Sequence, residues 1–144
     1  MATKAQIYAS LADDTARKIT GDYLDWAAFL GTSSRLYKYP YRDQLLIYAQ
    51  RPDATACAGY ELWNNTMHRY IRRGSKGIAL LTAGSGGMGV RYVFDVLDTG
   101  TRRESRDIEP WRITEQTEQP VRRMLKEAYN ADAEMPLVEQ IQQI

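Results

Sequence analysis

The chain has 144 residues, 19 Lys and Arg against 18 Asp and Glu for a net charge of +1, and 44% hydrophobic residues. That length and composition build an ordinary core and exclude a disordered chain. One Cys and one His exclude an internal disulfide and leave too few soft ligands for a zinc or iron-sulfur centre, so no metal and no cofactor are expected.

The opening MATKAQIYAS has no signal-peptide core, and no run approaches the roughly 20 apolar residues of a membrane span. A cytoplasmic protein without membrane contact is therefore expected. Thr3 followed by Gln6 forms a capping box that opens a first helix over residues 4–19, with Gly21 to stop it. Asp22 caps a second helix whose apolar face is Trp26, Leu30, Ser33 and Tyr37, and Pro40 ends it. Pro40 also starts a third helix, with Tyr41, Leu45 and Tyr48 on one side and a turn at Arg51-Pro52-Asp53. A short fourth helix over residues 59–65 is expected to present Tyr60 and Trp63 together.

From Met67 the period changes from helix to strand. MHRYIRR, IALLTA and VRYVFDV read as three strands of an antiparallel meander, the last with Val90, Tyr92, Phe94 and Val96 facing one way and Arg91 and Asp95 the other. Residues 97–110 read as an exposed loop of mixed charge. Val121, Met124, Leu125, Ala128 and Tyr129 then recur at helical spacing after Thr117, and a last helix is expected near Pro136 with Leu137, Val138, Ile141 and Ile144 apolar. An apolar final residue is what a fragment of a longer protein would show, or a helix that docks fully. The expected class is α+β: N-terminal helices packed on a small antiparallel β-meander, with C-terminal helices, in one domain over residues 1–144. Trp26, Tyr41, Leu45, Tyr48 and Phe94 are the expected core.

Chemistry is thin. Gly84, Gly86 and Gly89 match GxGxxG, but a strand follows where a phosphate-binding loop needs a helix, so these glycines read as a hairpin tip. No HExxH, GxSxG or GxxxxGK[ST] appears, Asp95 and Asp98 read as solvated turn acids, and His68 reads as a sheet residue; the chain is expected not to be an enzyme. What stands out is basic and aromatic residues interleaved. Residues 31–106 hold twelve Lys and Arg against six acids, while residues 1–30 hold three against four and 107–144 four against eight. Arg35, Lys38, Tyr39 and Arg42, then Tyr60, Arg69, Tyr70, Arg72, Arg73 and Lys76, suit a single strand whose bases stack on rings and whose phosphates meet cations. The RRGSKG turn carries three of these cations, either as a phosphate contact or as plain solvated charge.

The run RPDATACAGYELWNNTMHRYIRRGSKGIALL, residues 51–81, and RYVFDVLDT, residues 91–99, resemble the N-terminal domains of the ArdC antirestriction family. The likeness covers about residues 23–100, and LYKYPYRDQLLIYAQRPDATA is similar to the start of large helicase or methyltransferase proteins of conjugative elements. The resemblance implies a module that binds single-stranded DNA for a mobile element, alongside other domains of a parent polypeptide. ArdC itself continues into a zinc peptidase-like domain, and without HExxH neither peptidase activity nor zinc carries over. Ser75 stands where the family often has an acid. The alternatives are a protein-binding inhibitor of a host defence nuclease, of the restriction or CRISPR kind, and a structural N-terminal module of a larger enzyme. The acidic stretch 107–144 lies outside the likeness.

Overall fold

A computed structural model describes residues 1–109 and 113–130. They fall in two compact units, Met1–Pro110 and Trp111–Ile144. The first is α+β, with helices α1 (Lys4–Gly21), α2 (Tyr23–Arg35) and α3 (Tyr41–Gln50) and strands β1 (Cys57–Ala58), β2 (Arg69–Ile71), β3 (Ile78–Gly84), β4 (Gly87–Asp95) and β5 (Thr99–Thr101). In the second, α4 spans Glu115–Tyr129 and ends on a left-handed Asn130. The helix expected near Pro136 lies outside the described residues.

The helix boundaries follow from local chemistry. Thr3 Oγ1 accepts from Gln6 N at 3.2 Å while Gln6 Oε1 accepts from Thr3 N at 2.8 Å, which satisfies two of the N–H groups a helix start leaves open. Asp22 Oδ1 accepts from Leu24 N at 2.6 Å and so ends α1 and begins α2 within one residue. Pro40 occupies the cap of α3.

The helices pack on one another and on β3 and β4 around two buried clusters. One joins Ala12, Leu36, Leu46, Ile47, Ala54, Leu80 and Val93, and the other joins Ile19, Phe29 and Leu45. Leu45 is core as expected, and Tyr48 is half-buried against it. Trp26 and Tyr41 are not core, being 38% and 49% exposed. On α2 the buried side is Phe29 and Thr32, continued by Leu36, a second helical stripe beside the expected one. Phe29 wins because it fits between α1 and α3, meeting Tyr48 edge-on at 5.6 Å and Tyr41 at 5.9 Å, while Thr32 donates to Pro52 O at 2.6 Å.

Strand pairing departs from a simple meander. β3 and β4 form the expected glycine-tipped hairpin, from Ile78 opposite Val93 to Gly84 opposite Gly87, but β4 is the central strand, with β1 on its other side. β2 pairs with β5 in a separate ribbon, Tyr70 opposite Gly100. The reason β2 does not add to β3 is Gln50. Its amide accepts from Ala79 N at 2.9 Å and donates to Ala79 O at 2.9 Å, closing the open edge of β3 with a side chain from α3.

The faces of β4 are also reversed. Val93 and Asp95 are buried, Tyr92 is exposed and Phe94 is half-buried, so Phe94 is not the interior anchor expected. Asp95 fixes this register by accepting from Thr55 N at 2.8 Å, Ala56 N at 3.1 Å and Leu97 N at 3.2 Å. It is no solvated turn acid, and Asp98 is half-buried and paired with Arg51. Tyr60 and Trp63 likewise part company. Trp63 lies inside a π-helical turn (Leu62–Thr66), buried, with Nε1 donating to Phe94 O at 2.9 Å, and Tyr60 points to solvent.

Candidate nucleic-acid interface

The β2–β5 ribbon gathers charge from two distant stretches of sequence. Arg69, Arg72, Arg73 and Lys76 belong to β2 and the turn after it, and Arg102, Arg103 and Arg106 follow β5, against Asp98, Glu104 and Asp107. Asp98 is already taken by Arg51. Two tight turns hold these cations. Ser75 N donates to Arg72 O at 3.1 Å across Gly74, whose φ of +84° is open to glycine at little cost, and Ser105 N donates to Arg102 O at 3.1 Å. The second turn is anchored by Ser105 Oγ, which donates to His68 O at 2.6 Å. His68 itself sits at φ +53°, in the left-handed region, where the chain enters β2.

Not every expected cation is equally available. Arg69 Nε donates to Thr99 Oγ1 at 2.9 Å and its Nη1 to Arg106 O at 3.1 Å, and Arg72 Nε donates to Thr99 O at 3.2 Å. These two brace the ribbon. The side chains of Arg73, Lys76, Arg103 and Arg106 have no hydrogen-bond or ion-pair partner among the described residues. Between the two turns Tyr70 is 41% exposed. Its ring crosses the space above Gly100, where a Cβ would stand 2.1 Å from Tyr70 Cζ, and the Arg102 guanidinium lies 5.6 Å from the ring centre.

The other expected residues sit elsewhere, at the α2–α3 corner. Arg35 gives its donors to Ala54 O at 2.9 Å, Gly31 O at 2.9 Å and Pro52 O at 3.1 Å, clipping the turn after α3 to α2. Tyr39 is half-buried, donates to Cys57 O at 2.8 Å, and burial pushes its hydroxyl up to about 12. Lys38 lies 5.9 Å from the Tyr37 ring centre, and Arg42 is exposed beside the buried Asp43. No hydrogen bond, ion pair or ring contact among the described residues joins these four to the ribbon. Tyr60, exposed, begins the helical turn that packs against β2. Arg102, Arg103 and Arg106 escaped the sequence reading. The TRRESR run signals them, but its mixed signs look like a solvated loop until β5 is known to pair with β2.

Other chemistry is sparse. Among the described residues no group of three or more His, Cys, Asp or Glu stands ready to hold a metal ion, and no helix is long and apolar enough to cross a membrane. Compared with known proteins, the chain matches no family model, no curated protein and no solved structure.

Proposed function

We propose that the chain binds single-stranded DNA, without strong sequence preference, through the β2–β5 ribbon. The observation that carries this reading is an exposed ring, Tyr70, set midway along a ribbon whose strand β2 and two turns together hold seven cations. A single strand supplies what that surface lacks: phosphates for the cations and unpaired bases for the ring, each stack worth about 1–3 kcal/mol. A duplex hides its bases and offers the phosphates alone. DNA as the partner, and service to a mobile element within a larger polypeptide, rest on the ArdC resemblance.

The role is binding without turnover. Supporting it, burial first and the neighbouring Asp95 second push the Cys57 thiol up to about 12, so it is protonated at neutral pH and a poor nucleophile. A second reading, capture of a host defence protein, draws on one observation. Tyr23, Trp26, Leu30 and Tyr37 leave an exposed apolar stripe along α2 and the turn beyond it, of the kind that marks protein contacts.

Fluorescence anisotropy with labelled oligonucleotides over a salt series separates the two. Replacing Arg73 and Lys76 together by Ala should flatten the log-log salt slope for a single strand by up to about 1.4 units, at about 0.7 per phosphate. A duplex of equal length should bind more weakly. Equal affinity for both forms, or an unchanged slope, rejects the ribbon as the site. Absence of binding near physiological salt transfers support to the α2 stripe.

A further inference from the structure

We infer that Arg102 and Tyr70 are the two jaws of a clamp for one unpaired base, a step that rests on the single-strand reading and gives Arg102 a role beyond its charge. Tyr70 stands opposite Gly100, and the ring lies across the space a side chain there would fill, so the buried Gly100 backs it from the ribbon side. Arg102 follows Gly100 by two positions, one residue past the end of β5. Its guanidinium carbon is 5.6 Å from the ring centre.

The foot of Arg102 is fixed and its arm is free. Its backbone N donates to Ser105 Oγ, its carbonyl accepts from Ser105 N at 3.1 Å, and Ser105 is tied to His68 O. Among the described residues the side chain makes no hydrogen bond or ion pair, only the contact with Tyr70. Guanidinium planes and tyrosine rings both stack on unpaired bases. A base between them needs about 7 Å, two stacking steps of about 3.4 Å each. Arg102 must therefore withdraw by roughly 1.4 Å from its 5.6 Å position, well within the reach of an unrestrained arginine. Cations on both sides, Arg73 and Lys76 beyond one end of β2 and Arg103 and Arg106 beyond the end of β5, are placed for the phosphates that flank the clamped base.

The test exploits the difference between arginine and lysine, which share a charge but not a stacking plane. Binding of a fluorescein-labelled oligo-dT strand is measured for the full chain and for R102K, R17K, Tyr70→Leu and the Arg102→Lys/Tyr70→Leu double variant, with thermal melts to verify folding. The expected result is that R102K weakens binding about fivefold or more with the salt slope unchanged, that R17K, an exposed arginine of α1 outside the ribbon, matches the parent, and that the double variant is no weaker than Tyr70→Leu alone. Three results overturn the clamp alone: R102K within about twofold of the parent, an equal loss in R17K, or losses in the double variant that multiply. In each of them the flattened slope of the Arg73 and Lys76 variant still upholds the ribbon. Failure of the parent chain to bind at all overturns the ribbon reading and the clamp together.

Discussion

Asp43 and Asp95 are both buried carboxylates, and their surroundings make them different groups. Asp95 accepts three backbone N–H bonds, whereas Asp43, 6% exposed, meets Arg91 Nη2 at 3.5 Å as its ion-pair partner. For Asp43 burial outweighs the attraction of Arg91 and Arg42, and its pKa is raised above the ordinary 3.8. The folded state then binds more protons than the unfolded one between 3.8 and the raised value, so this group's contribution to stability falls as pH rises through that window. Urea denaturation of the parent and of Asp43→Asn from about pH 4 to neutrality should therefore show the variant gaining on the parent as pH rises. A constant difference, or a parent that gains instead, contradicts the assignment. Neither aspartate is distinguishable from a surface acid in the sequence, because what sets each apart is the set of groups brought to it by the fold.

At the scale of elements, the ribbon depends on Gly100. Its φ is not in the left-handed region, so alanine is permitted there by the backbone, but the added Cβ would collide with Tyr70 Cζ at 2.1 Å and Oη at 2.4 Å. What must move is the tip of a partly exposed side chain, not the strand. Gly100→Ala should accordingly cost no more than about 1 kcal/mol in a urea melt, within the range of substitutions that disturb no core contact. It should weaken single-strand binding about as much as Tyr70→Leu does. Unaltered affinity would mean that the seated ring is not what the strand recognises. The pairing that creates this element was only partly legible. The β3–β4 hairpin could be read from its strands and glycine tip, but β2 was expected beside β3 because the edge that Gln50 closes lies 29 residues away from it in sequence.

For the whole molecule, charge and compactness divide along the chain. The seven ribbon cations, the helices that pack on the sheet and both buried clusters belong to Met1–Pro110. Residues 107–144 carry four basic against eight acidic groups, which repels a polyanion within a Debye length of about 10 Å at 0.1 M salt. A chain ending at Pro110 should melt cooperatively and bind single strands at least as tightly as the full chain, with any gain disappearing as salt is raised. Loss of binding on truncation would show that the site needs the C-terminal unit. The sequence by itself determined the α+β class, the three N-terminal helices and their starts, because caps, prolines and helical spacing act within about four residues, whereas α2 stops at Arg35, short of Pro40. It also located four of the ribbon's seven cations. Tertiary structure alone decided which of two apolar stripes on α2 is buried, which face of β4 turns inward, and that Arg102 meets Tyr70. Those outcomes depend on partners far along the chain, such as Thr55 N on Asp95 and Thr101 beside Arg69, and no local pattern carries the energy of a contact that exists only after the chain has folded.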